Sequence, residues 1–166
     1  MKIGIISDSH DNVPNTIYCL EQLRSIGITI LIHCGDLTGS DLLAYFDGFQ
    51  VIYTFGNCDK ATGVIKAGVQ KINSNSFAGL SFDGRLDNKR ILVFHGDIEG
   101  QVMEAVRLRC YDYIIHGHTH QQTDHRQLKT RIINPGALGG VHRESRSFCV
   151  LDLENDDLVF HQVPEK

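Results

Sequence analysis

Short apolar runs, mostly β-branched, punctuate the chain, and each stops abruptly on polar residues. Ile3–Ile6 gives way to Ser7-Asp8-Ser9-His10, Ile30–Ile32 to His33-Cys34-Gly35-Asp36, and Val51–Phe55 to Gly56-Asn57-Cys58-Asp59. Ile91–Phe94 ends on His95-Gly96-Asp97, and Ile114-Ile115 on His116-Gly117-His118-Thr119-His120. Runs of this length, bounded by turn residues, read as buried strands. Between them the period changes. Pro14 suits a first helical turn, and Ile17, Leu20, Leu23 and Ile26 recur at roughly helical spacing until Gly27 stops the helix. Residues 40–47 predict a short helix with Ser40 as cap, and residues 100–110 another. The stretch 60–75 carries no clean period and stays unassigned.

Phe77–Phe82, Asp83-Gly84 and Arg90–Phe94 read as a hairpin with a loop longer than the favoured two residues. From Arg131 onward the chain is strand-rich. It closes on a second hairpin, Phe148–Leu153 and Leu158–Val163 around Asn155-Asp156-Asp157. This order predicts an α/β fold, with crossovers early and an antiparallel meander late. No linker, repeat or low-complexity segment interrupts it, so residues 1–166 read as one domain. A chain of 166 residues, 42% of them hydrophobic, can bury a real core.

Composition narrows the function classes. A formal charge of −4, with no lysine or arginine cluster, gives no clear nucleic-acid surface. Met1–Ile6 is too short for a signal peptide, and no apolar run approaches the ~20 residues of a membrane span. The five cysteines (Cys19, Cys34, Cys58, Cys110, Cys149) are odd in number and lack any Cys-x-x-Cys. Buried free thiols in a reducing cytoplasm are therefore expected.

The polar residues that end the five runs carry the chemistry. Ligand-type side chains at the C-terminal ends of buried strands are where open α/β sheets put their sites. His118 and His120 straddle one small residue, so a turn that aims both imidazoles at one point lets them serve two metal ions. Taken singly, each residue has an ordinary use: Asp8 and His10 as cap and loop residues, Asp36 and Asn57 as turn residues. Five such endings in order outweigh those uses.

The series Asp-x-His, Gly-Asp, Gly-Asn-x-Asp, His and Gly-His-x-His resembles the calcineurin-like metallophosphoesterase superfamily. The short length and the Gly-Asn-Cys-Asp form are similar to its small YfcE-like phosphodiesterases. The resemblance runs from Asp8 to His120, with Asn134-Pro135-Gly136 similar to a further signature loop. It implies an αββα sandwich, two face-to-face sheets with helices outside. It also implies one divalent metal on Asp8, His10, Asp36 and His120, and a second on Asp36, Asn57, His95 and His118. Asp36 would then bridge ions about 3.5–4 Å apart. Three oxygen donors and four imidazoles suit Mn first, then Fe, Zn, Ni or Co, better than Mg or Ca. Two such ions outweigh Asp8 and Asp36, so the site would attract an anion. By the same resemblance a hydroxide held between the metals attacks phosphorus in line, with Asp36, Asn57 and His118 at the catalytic centre and a small phosphodiester as substrate. A small homo-oligomer is compatible with the family.

Around that set, Asp59 is expected to orient its loop, Asp97 to support a ligand, and Asn134 to shape the site floor. Arg143 is a candidate phosphate contact. His33 and His116 read as packed or supporting residues, and His125, His142 and His161 as ordinary surface or loop histidines. Cys58 stands where many superfamily members carry a histidine that contacts phosphate and protonates the leaving group. A thiol with an ordinary pKa near ~8.5 is a poorer general acid, which favours substrates with good leaving groups. Two other readings stay open within the same fold: a phosphomonoesterase or nucleotidase, and a VPS29-like interaction scaffold.

Overall fold

The computed structural model describes residues 1–141 and 145–164. Each apolar run forms a strand: β1 (Lys2–Ile6), β2 (Ile30–His33), β3 (Gln50–Thr54), β6 (Lys89–Phe94) and β7 (Tyr113–Ile115). Their apolar residues alternate between two cores. Ile3, Ile5, Ile32 and Ile52 meet Ile91, Val93, Ile115 and Ile133 across the space between two sheets. Ile6, Leu31, Val51 and Tyr53 point the other way, toward helices. Burial on both faces is why these runs are continuously apolar instead of alternating with polar residues.

The first sheet has the order β11-β10-β1-β2-β3-β4 and the second β5-β6-β7-β9-β8. Here β4 is Phe77–Gly79, β5 Ser81–Leu86, β8 Gln122–Gln127, β9 Thr130–Pro135, β10 Ser147–Asp152 and β11 Asp157–Gln162. Helices α1 (Val13–Ser25) and α2 (Thr62–Ile72) cover the first sheet, and α3 (Gln101–Arg107) packs on the second through Ala105 and Val106 against Phe94, Ile114 and Ile132. The result is the αββα sandwich implied by the resemblance. No helix among the described residues is long and apolar enough to cross a membrane.

Local signals account for most boundaries. Asn12 caps α1 by accepting from the Asn15 backbone N–H, with Pro14 in the first turn, and Gly27 (φ +76°) lets the chain leave the helix. Residues 41–46 form a 3-10 helix at which Ser40 makes no side-chain cap. The unassigned stretch is α2, which buries only Ile65 and Val69. Two buried positions one turn apart are too narrow a stripe to stand out in the sequence.

Two expectations are corrected. Asp83-Gly84 lies inside β5, and the turn is Asp87-Asn88, both at positive φ (49° and 64°), joining β5 to β6 as a two-residue hairpin. Asp83 instead ion-pairs with Arg90 at 3.1 Å and accepts from Tyr111 Oη at 2.8 Å. The tail is also not a single meander. The β8–β9 hairpin adds to the second sheet beside β7, whereas the β10–β11 hairpin returns to the first sheet beside β1.

The α1 contact sets how closely that helix approaches β1. Leu23 is fully buried, and a Cβ built on Gly4 would lie 2.8 Å from its Cδ1. Leu23→Ala is expected to cost about 2–5 kcal/mol of stability by urea denaturation, whereas Leu80→Ala should stay within about 0.5 kcal/mol. Leu80 is 81% exposed.

Candidate metal centre

The polar residues after β1, β2, β3, β6 and β7 meet in one cluster, and the backbone is bent to bring them there. Asp8, His10, Asp36, His118 and His120 all have positive φ, between 42° and 67°. Side chains other than glycine enter this region at a cost of about 1–3 kcal/mol each, and such residues gather at functional sites. Hydrogen bonds between the loops hold the bends. Asp8 N–H donates to Gly35 O at 2.9 Å, His10 N–H to Asp36 O at 3.0 Å, and Gly117 N–H to His95 O at 2.8 Å.

The cluster has two halves. In one, His120 Nε2 lies 3.3 Å from Asp8 Oδ1 and 3.3 Å from His10 Nε2. In the other, His95 Nε2 lies 3.1 Å from Asn57 Oδ1 and 3.3 Å from His118 Nδ1. Asp36 Oδ2 sits between them, 3.7 Å from His10 Nε2 and 3.4 Å from His95 Nε2. Asp8, His10 and His120 present donor atoms close enough to share one cation, as do Asp8, Asp36 and His95. Gly56 permits the approach of β3 to Asp36, because a Cβ there would fall 2.1 Å from Asp36 Oδ1.

Proton accounting favours a cation. His95 Nδ1–H donates to Cys34 O at 2.7 Å, which leaves Nε2 facing an amide oxygen and a carboxylate. Burial disfavours the His95 imidazolium, but hydrogen bonding and charge from Asp36, with Asp8, raise its pKa to about 9. Burial likewise opposes ionisation of Asp36, yet His95 and the Cys58 N–H (2.8 Å) hold its pKa well below the usual carboxylate range. Asp8 Oδ2 accepts from Ser7 Oγ at 2.5 Å and from His118 N–H at 3.0 Å, whereas Oδ1 is buried and accepts no hydrogen bond. An unsatisfied buried carboxylate oxygen beside two imidazole nitrogens fits a cation held between them.

Supporting residues fix the loops. Asp59 is buried and accepts from the Asp36, Thr38 and Gly56 N–H groups and from Tyr53 Oη, the last at 2.5 Å. Asn134 Nδ2 donates to Gly117 O at 2.8 Å and to Thr119 Oγ1 at 3.1 Å, pinning the loop of His118 and His120. His33 accepts from Gly35 N–H at Nδ1 (3.1 Å), so its Nε2–H donates to Ser9 Oγ at 2.7 Å. His116 stacks on Phe94 beneath the loop, and burial lowers its pKa.

The cluster opens into a cleft of about 620 Å³ lined by His10, Asn12, Asp36, Asn57, Cys58, His118, His120, Gly140 and Val141. Burial and hydrogen bonding to Asp36 push the Cys58 thiol up to about 11. Asp97 is exposed and lies outside that lining; His125 is exposed on β8, and His161 stacks on Phe148. Arg143 and His142 lie outside the described residues. Sequence reasoning passed over Ser7, Ser9, Tyr53, Asn12 and the 139–141 wall. The serines flanking Asp8 were the one available signal, since polar residues continuing a buried run need partners.

Comparison with known proteins agrees with this geometry. The family model described as the calcineurin-like phosphoesterase superfamily domain matches residues 1–156. Phosphodiesterase MJ0936 of Methanocaldococcus jannaschii is 28% identical over 159 residues, covering 95% of this chain and 96% of that protein. A solved structure of a novel archaeal phosphodiesterase superposes with a TM-score of 0.94 at 27% identity, over 98% of this chain and all (100%) of the other. The Escherichia coli phosphoesterase YfcE shares the fold, with a TM-score of 0.70 at 20% identity over 98% of each chain.

His33 supplies a pH test of the support network. Burial lowers its pKa to about 4, below its ordinary 6.5. Between those values the unfolded chain binds the extra proton, so the stability owed to His33 should fall as pH drops from about 6.5 to about 4, its own contribution being level above. In metal-free protein the loss expected from this residue between pH 7 and pH 4.5 is about 2 kcal/mol. Urea midpoints at pH 7 and pH 4.5 measure it, and His33→Gln should flatten the slope.

Proposed function

The chain belongs to the calcineurin-like phosphoesterase superfamily, and from that premise we propose that it is a two-metal phosphodiesterase acting on a small phosphodiester. The observation that carries this reading is the convergence of His10, His95, His118 and His120 nitrogens with Asp8, Asp36 and Asn57 oxygens around Asp36 Oδ2. We assign Asp8, His10, Asp36 and His120 to one ion, and Asp36, Asn57, His95 and His118 to the other. Mn is our first choice, because the donors mix oxygen with imidazole and need no thiolate. When bound, such ions supply positive charge for the phosphate oxygens and make hydroxide available near neutral pH.

The chain's own residues do the rest. Asp8 and Asp36 are the carboxylates of the set, and neutral Asn57 keeps a third negative charge out of the cleft. The Cys58 backbone orients Asp36, and its side chain lines the cleft. A thiol is a poorer general acid than the imidazole it stands in for, so a leaving group departs with little help. Preference for a diester over a monoester is supported by the archaeal relative named a phosphodiesterase. Free thiols at all five cysteines suit a reducing compartment such as the cytoplasm.

Metal-stripped protein supplied with Mn²⁺ should hydrolyse an aryl phosphodiester faster than its monoester, and Asp36→Asn should lower that rate by roughly 100-fold or more. A monoester preference would favour a nucleotidase instead. Cys58→His should raise turnover of alkyl esters by about 10-fold or more while leaving aryl esters little changed. Equal effects on both ester classes would remove leaving-group protonation from the account.

A further inference from the structure

One side chain outside the donor cluster, Arg146, holds the loop that backs one of its halves. The strand bridge between Ala137 and Arg146, and the Val163 N–H donating to Arg146 O at 2.7 Å, anchor the Arg146 backbone. Its guanidinium holds two backbone carbonyls: Nη1 donates to Gly139 O, and Nη2 to Gly140 O at 2.8 Å. Two carbonyls of successive peptides are thus held by one rigid fork, a geometry that guanidinium provides and ammonium does not.

The segment so held is the wall of the Asp8–His10–His120 half. Leu138 N–H donates to Ser7 O at 3.1 Å and Gly139 N–H to Asp8 O at 2.8 Å. The approach is close enough that a Cβ on Gly139 would lie 2.0 Å from Ser9 O. One on Gly140 would lie 2.7 Å from His120 Cε1 and 3.3 Å from His10 Cδ2. The backbone therefore backs the two imidazoles directly, and their ring centroids stand 5.2 Å apart. The three atoms nearest to a Cβ on Gly140 all belong to His120 and His10.

We propose that Arg146 is a positioning residue for one metal subsite: by clamping the Gly139 and Gly140 carbonyls it holds the wall that orients His10 and His120. The role rests on the two-metal reading, and it predicts an effect on one ion and not on the other. Partners beyond the ligands of a metal site typically change affinity by about 10–100-fold when lost.

The test is a calorimetric Mn²⁺ titration of metal-stripped wild type, Arg146→Met and Arg146→Lys, with His10→Asn and Asn57→Ala marking which binding event belongs to which half. Arg146→Met should weaken the event that His10→Asn abolishes by about 10-fold or more. The event that Asn57→Ala abolishes should stay near its wild-type affinity. Arg146→Lys should recover only part of the loss. Without metal, Gly139 amide exchange should quicken in Arg146→Met while exchange at Ile32 in the core stays at the wild-type rate. If the methionine variant does not fold, Arg146→Lys carries the same comparison. Equal weakening of both events, or no weakening, overturns the role, as does unchanged Gly139 exchange. Wild type that binds fewer than two ions overturns the two-metal reading itself, before any Arg146 variant is compared, and the role with it.

Discussion

Lone-pair donors from five strand ends have to point into one small volume with few protons to share among them, and the structure is organised around that demand. His95 shows it most directly: one ring nitrogen is spent on Cys34 O, and the other is left facing Asn57 and Asp36. Asp8 shows it again, with one oxygen doubly hydrogen-bonded and the other without a hydrogen bond. Such an arrangement is costly as a set of neutral and anionic groups. It becomes favourable once a proton, or a divalent cation, occupies the space between them.

Backbone strain adds to that cost. Five of the donor residues occupy left-handed conformations that carry a penalty of about 1–3 kcal/mol each. What holds them is the rigidity of the strands they follow, which are buried on both faces, and the cross-loop hydrogen bonds. Asp59 does the same service for the Asp36 loop by collecting three backbone N–H groups and the Tyr53 hydroxyl. The Arg146 clamp extends this logic to the opposite wall.

Two buried histidines, His33 and His95, take opposite electrostatic characters from their surroundings. For His33 burial dominates, its ring partners are Ser9 and Gly35, and its pKa falls to about 4. For His95 the adjacent Asp36 outweighs burial and the pKa rises to about 9. The first is thereby a neutral strut and the second a group that responds to added charge. Asn57 and His118 remain exposed, so the cluster is closed toward the sheets and open toward the cleft.

Much of this was legible in the chain alone. Apolar runs that stop on Asp, Asn or His located the parallel strands and placed the donors at their ends, because burial on both faces demands continuous apolar stretches. The Gly-His-x-His and Gly-Asn-x-Asp spacings were readable for the same reason: they are local. Helix α2 was not, since Ile65 and Val69 leave too narrow a stripe, and Asp83-Gly84 carried a turn signal that pairing with β6 overrode. No local pattern marks Tyr53 or Arg146, and only the fold brings them to Asp59 and to Gly139 and Gly140. The sequence by itself determined which side chains could bind a cation and which strand each one ends. Which of them come within a few ångströms of one another, and which distant groups hold them there, depended on contacts between residues far apart in the chain, and only the packing of the two sheets decided those.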